Sequence, residues 1–281
     1  MILDCFLDAL KDSAIALPFL FGAYLLIEAL EKHTDFLTGK FFSRSRYFAP
    51  ALGALFGLIP QCGFSSAMSN LYVSGVVGAG TLIATFLATS DEAVLVMLSN
   101  PGSASETGKL LLTKLIIALV FGYLLTFIFR KKAAGEMTDI CSAGRCGCGK
   151  GKGIVKPALI HTAKIIGWIF GITLVLNIVI ELIGTDNLAK LLGGNLFIQP
   201  LITALIGLIP NCAVSVLFTE LYLAGSLSFA SAVAGLCSGA GVGLIVLYKM
   251  SGNKKECLMI TALLYACAAV SGIILQLASG I

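Results

Sequence analysis

The sequence predicts an all-α polytopic membrane protein of about ten transmembrane helices, arranged as two inverted five-helix repeats with broken helices at the midplane. Three observations lead there. Only 12% of the 281 residues are charged, 58% are hydrophobic, and mean hydropathy is +0.97; soluble domains are typically about 25% charged. Apolar runs recur that are long enough for a bilayer core of about 30 Å, which takes roughly 20 helical residues. One phrase is also written twice: "GLIPQCGFSSAMSNLYVSG" (57–75) returns as "GLIPNCAVSVLFTELYLAG" (207–225), with nine of nineteen positions identical.

The apolar runs are continuous rather than alternating, which argues against a β-barrel. The first run, 13–30, follows an acidic start, "MILDCFLDALKD", and so is expected to be a span rather than a cleaved signal. The repeat reaches beyond the duplicated phrase, since "ALGALFGLIP" (51–60) matches "LITALIGLIP" (201–210) and Glu31 matches Glu181. The chain therefore divides into a first repeat at 1–130, a basic Cys-containing loop at 131–156 and a second repeat at 157–281.

Loop charge sets the expected orientation. Residues 31–46 hold four Lys/Arg and their repeat partner 181–195 holds one; residues 99–109 hold one and their partner 248–256 holds three. Basic loops in one half match non-basic loops in the other. Under the positive-inside rule the halves face opposite ways, each with an odd number of crossings. The expected spans are 13–30, three within 47–98, and 110–130, then 157–180, three within 196–248, and 257–278; eight spans result if the middle segments are re-entrant. Residues 130–156 carry seven Lys/Arg and two acids, a net of +5. This places the central loop in the cytoplasm and both termini outside a multi-pass cytoplasmic membrane, and argues for lipid rather than nucleic acid as the partner.

Proline within a membrane helix removes a backbone donor and clashes one turn back. Such breaks persist where protein or a wet cavity surrounds them, and they build ion or substrate sites. Pro60, Gln61, Cys62 and Ser65 in one half, and Pro210, Asn211, Cys212 and Ser215 in the other, are the candidate walls of one central site. They offer thiol, amide and hydroxyl groups. A two-fold axis in the membrane plane would bring them together. Structural prolines and buried spectator cysteines are the alternative for such residues taken singly; the duplication favours function.

Intramembrane carboxylates are costly and commonly bind cations or relay protons. Between 47 and 98 they are Asp91 and Glu92, beside Ser90; between 196 and 248 the one charged residue is Glu220. Their repeat partners Gly241, Val242 and Asn70 are uncharged, so the charge is asymmetric on a duplicated scaffold, as suits a proton- or cation-coupled carrier. A surface helix cap is the plainer account of Asp91 and Glu92. Glu28, Glu31, Lys114, His161 and Lys164 are expected near span ends, snorkelling to the surface. Cys5, Cys237, Cys257 and Cys267 lack a local partner; Cys237 stands out because "CSGAGVG" is the repeat partner of "LATSDEA". In the loop, "CSAGRCGCG" sets Cys141, Cys146 and Cys148 close enough to hold a soft or borderline metal ion, with incidental linker cysteines as the alternative.

"GLIPQCGFSSAMSNLYVSG", "GTLIATFLATSDEA" and "GLIPNCAVSVLFTELYLAG…CSGAGVGLIVLYK" resemble the ten-helix heavy-metal exporters, grouped with ArsP-type arsenical permeases and named variously as arsenic efflux proteins or manganese transporters. The resemblance spans nearly the whole chain. It implies ten helices, export, and a site at Pro60, Gln61, Cys62, Ser65, Ser90, Asp91, Glu92, Pro210, Asn211, Cys212 and Ser215. Many relatives carry an acidic Gln-Asp-Gly segment where this chain has "CSGAGVGLIV", which favours an arsenic-type substrate over a divalent metal.

The expected function is a secondary exporter of arsenite, an organoarsenical or a soft metal cation, with protons as the candidate coupling ion. No Walker motif is visible, and neither cofactor nor enzymatic activity is expected. The alternatives are a membrane thiol–disulfide electron carrier using Cys62 and Cys212, a manganese transporter and a channel. An intramembrane hydrolase lacks a base, since His33 and His161 sit near membrane faces.

Overall fold

The computed structural model describes residues 48–60, 62–90, 93–99, 103–129 and 198–278, with scattered positions between 7 and 25 and between 159 and 178. The expected spans 13–30 and 157–180 fall largely outside the described residues, and the central loop falls wholly outside them. Everything continuous is helical: α1 (Ala49–Gly57), α2 (Cys62–Val73), α3 (Ala79–Ala88), α4 (Ala93–Ser99), α5 (Ala104–Ile128), α6 (Gln199–Gly207), α7 (Cys212–Leu223), α8 (Phe229–Ser238), α9 (Val242–Met250) and α10 (Lys254–Ala278). Each element of the first set returns 150 residues later. The correspondence holds to the residue at nearly every boundary; α4 and α9 are the exception.

The repetition is dictated locally. Pro50 and Pro200 sit in the first turns of α1 and α6, where the missing N–H costs no helical bond. Pro60 and Pro210 follow the ends of those helices. Gly75 and Gly225 close α2 and α7 with φ of 77° and 73°, a left-handed conformation that glycine adopts without steric cost.

Among the described residues, four stretches are long and apolar enough to cross a membrane: Ala79–Ser99, Ala104–Ile128, Phe229–Met250 and Lys254–Ala278. The first and third are 81% and 94% buried within the protein, the second and fourth 28% and 39%. Thus α3–α4 and α8–α9 form the centre, and α5 and α10 are peripheral. On α5 the buried residues Thr107, Leu110, Lys114, Ile117, Ala118, Gly122 and Leu125 recur at three- and four-residue spacing. Leu112, Ile116, Val120, Leu124 and Phe127 are exposed on the opposite face, an apolar face suited to lipid.

Within each half three helices pack mutually: α1, α3 and α5 in the first, α6, α8 and α10 in the second. Small residues bring their backbones close, as in other membrane helix bundles. A methyl group on Gly122 would stand 2.7 Å from Ala84 Cβ, and one on its partner Gly272 would stand 2.7 Å from Ala234 Cβ. The halves interlock by exchange. Helix α2 packs on α9, and α7 packs on α4, so each short helix after a proline lies against the other half.

A matched pair of hydrogen bonds ties the same seam. Tyr72 Oη on α2 donates to Glu256 Oε1 on α10 at 2.5 Å. Tyr222 Oη on α7 donates to Glu106 Oε2 on α5 at 2.8 Å. Both tyrosines and both glutamates are repeat partners, and each bond joins the two halves.

Candidate functional site

Two kinds of break shape the interior. The first is the proline break. Helix α1 ends at Gly57 and α2 begins at Cys62; the Phe56 and Phe64 rings stack across the gap with centroids 5.9 Å apart. In the second half Asn211 is the N-cap of α7, its Oδ1 accepting the Ala213 N–H at 2.8 Å. The amide at this position thus has a structural task, since it satisfies one of the donors orphaned at a helix start. Cys212 opens α7 and is 8% exposed.

The second break divides the central helices. Helix α3 ends with Thr89 as its C-cap, and α4 resumes at Ala93. Helix α8 ends at Ser238, and α9 resumes at Val242. Gly241 sits there at φ 52°, a conformation that favours glycine, where the first half has Asp91.

These breaks leave helix-end carbonyls without their usual donors. In an unbroken helix the Thr89 carbonyl would receive the Ala93 N–H, but that N–H bonds Ser90 O at 3.1 Å. The Leu236 carbonyl would receive the Ala240 N–H, which instead bonds Ser238 O at 2.9 Å. Both carbonyls are taken up by Lys114. Its Nζ donates to Leu236 O at 2.8 Å and to Thr89 O. Lys114 is wholly buried, so the expectation that it snorkels at a span end is wrong. The reason is helical phase: it lies four residues after Leu110 and three before Ile117, in the middle of the buried stripe of α5.

The other expected residues are placed as follows. Ser65 is fully buried where α2 meets α9; a methyl on Gly243 would stand 2.9 Å from its Cβ. Ser69, one turn on, has its Oγ 2.8 Å from Gly243 O and 3.0 Å from Ser65 O. In the second half Ser215 is buried and its carbonyl accepts from Thr219 Oγ1 at 2.8 Å. Ser90 is buried at the first central break, its Oγ 3.1 Å from Ala88 O. Pro60 and Pro210 are half-buried, and Glu220 is exposed in the last turn of α7. The side chain of Cys62, together with Gln61, Asp91, Glu92, Cys141, Cys146 and Cys148, lies outside the described residues.

Helices α2 and α7 have no extended contact with each other; their partners across the halves are α9 and α4, and within its own half each also packs on the next helix, α3 or α8. Helices α2 and α7 are therefore linked through the segments that follow the central breaks. Cys237, Cys257 and Cys267 are buried, with Cys257 Sγ 3.7 Å from Leu247 O. Among the described residues no three His, Cys, Asp or Glu side chains cluster.

The sequence reading misplaced Lys114 and passed over Thr89 and Ser69. For Lys114 a signal was present: in "LLLTKLIIALVF" a lone cation interrupts an apolar run whose repeat partner at that position is Leu264. For Ser69 and Gly243 nothing local marks the contact, because they are 174 residues apart.

Searches among curated proteins and solved structures give no match. One protein family does match, over residues 2–170, which takes in the first repeat, the central loop and the start of the second. That span is more than half of the chain, and the chain belongs to the family described as "Putative, 10TM heavy-metal exporter".

Proposed function

We propose that this protein is a secondary exporter of a trivalent arsenical or another soft metal species, with the substrate held between two inverted halves at the duplicated Pro-Gln/Asn-Cys breaks. The observation that carries the proposal is the exchanged packing. Each helix that begins with a motif cysteine, α2 at Cys62 and α7 at Cys212, lies against the other half. Residues at such a seam change their surroundings when the halves move against each other, which is what alternating access requires. Thiols are the soft ligands that a trivalent arsenical or a soft cation prefers. Ser65, Ser215 and Ser90 add hydroxyls, and Gln61 and Pro60 complete the first break. Asn211 positions Cys212 by capping α7, and Pro210 sets the break before it. Asp91 and Glu92, at the first central break, are the proposed proton carriers, and Glu220 lies at the rim of α7. The thiols Cys141, Cys146 and Cys148 of the basic loop are proposed to receive the substrate on the cytoplasmic side.

The test uses cells lacking their own efflux systems. They carry this protein, its Cys62→Ser/Cys212→Ser variant, or neither. Cells are challenged with arsenite, methylarsenite, manganese, zinc and copper, and intracellular content is read by mass spectrometry. We expect lower content of an arsenic species with the wild type and no lowering with the double variant. Unchanged content for all five, with the protein present in the membrane, overturns the proposal. Lowering of manganese alone, indifferent to the thiols, overturns the soft-ligand site. Export unaffected by collapse of the proton gradient removes the role given to the carboxylates.

A further inference from the structure

The proposed substrate site makes no use of Lys114, yet this is the costliest group in the described interior. Lysine is almost never fully buried unless paired. A charge at mid-membrane costs at least about 2.5–3.5 kcal/mol on insertion scales. Here the ammonium has no exposure at all and stands between two helix ends from different halves. It bonds the carbonyl of Thr89, the C-cap of α3, and the carbonyl of Leu236 in the last turn of α8.

Two features of this meeting call for a cation. A helix carboxyl end carries roughly half a negative elementary charge. Two such ends brought to one point repel, and together they call for about one positive charge. Both carbonyls have also lost their helical donors, Ala93 N–H to Ser90 and Ala240 N–H to Ser238. Orphan carbonyls at broken membrane helices are the groups that coordinate a monovalent cation. The repeat supplies two helix ends but only one lysine, since the position related to Lys114 is the buried Leu264. One charge serves both ends.

We propose that the carboxyl ends of α3 and α8 form a monovalent-cation site whose resident cation is the protein's own Lys114 ammonium, holding the broken helices of the two halves together. The site goes beyond the exporter reading and does not depend on it. It follows that removal of the side chain leaves a vacancy that a small free cation fills.

Purified protein in detergent provides the test. Lys114→Ala deletes Cγ, Cδ, Cε and Nζ, the outline of n-propylammonium. We expect its melting temperature to fall by about 5 °C or more, the size expected when a buried charge partner is lost from a chain of this length. Added n-propylammonium, or Na+ or K+, should recover a large part of that loss saturably, leaving the wild type unmoved. The neutral isostere n-propanol should not. If no cation raises the variant more than the wild type, or if n-propanol does as well, the proposal is overturned.

A second comparison holds should Lys114→Ala fail to accumulate. Lys114→Leu is set against Lys114→Arg, which keeps a cation within reach of the same two carbonyls. Greater accumulation or a higher melting temperature for Lys114→Arg supports the site. Equal behaviour of the two, whether both are sound or both are lost, overturns it. Neither measurement uses a transport substrate, so its failure and that of the efflux experiment are separate results.

Discussion

At the scale of residues, the interior is governed by where a side chain has no room and where a charge has no choice. Gly243 illustrates the first. A Cβ there would stand 2.8 Å from the Phe86 ring, 2.9 Å from Ser65 Cβ and 3.0 Å from Ser65 C. The last contact is with backbone, so α2 and α9 must separate to admit it. Gly243→Ala is expected to destabilise by about 1–3 kcal/mol, as overpacking does. Gly108→Ala on α5, where nothing stands within 4 Å, is expected to be neutral or stabilising by up to about 1 kcal/mol through helix propensity. Thermal unfolding of the two variants side by side checks both, and equal losses would show that the α2–α9 contact is not tight. Lys114 illustrates the second. Its position in "LLLTKLII" looks like a span end when hydropathy is read in windows, but the three- and four-residue phase of its neighbours turns it inward.

At the scale of elements, short helices exist because the chain breaks them, and the breaks create bonding needs that other elements meet. Asn211 caps α7 from within its own half, whereas Lys114 reaches the ends of α3 and α8 from a third helix. The Tyr–Glu pairs are the clearest device at this scale. Each joins a post-proline helix to the first turn of the other half's long peripheral helix. Tyr72→Phe and Tyr222→Phe should each cost about 1.5–3 kcal/mol, the net worth of a hydrogen bond to a charged group, and should do so to a similar degree because the pairs are repeat-related. Unfolding of each single variant measures this. A large loss for one and none for the other would show that the two seams are not equivalent in energy. The breaks at Pro60 and Pro210 were legible in the sequence from the residue type alone. The Tyr–Glu pairs were not, although Tyr72, Tyr222, Glu106 and Glu256 all sit in plain repeat register, because register says which residues are equivalent and not which ones touch.

At the scale of the whole molecule, the proposed inversion makes a prediction about sidedness. Ser99 at the end of α4 and Gly252 between α9 and α10 are both exposed and lie in segments 99–109 and 248–256, whose charges differ. In an otherwise cysteine-free protein, a cysteine at position 99 should react with a membrane-impermeant thiol reagent from outside intact cells, and one at position 252 only after access to the cytoplasm. Labelling of both from one side overturns the inverted arrangement. Composition and repetition by themselves determined that the chain is helical, apolar enough for a membrane, duplicated at an offset of 150 and interrupted at matching prolines; these follow from residue types and their spacing, which are local properties. Only the tertiary structure decided that α2 crosses to α9 and α7 to α4, that α3–α4 and α8–α9 form the buried centre, and that one lysine serves two helix ends. Those outcomes depend on which groups are left unsatisfied once both halves are folded against each other, and a broken helix does not record in its own sequence where its missing donor comes from.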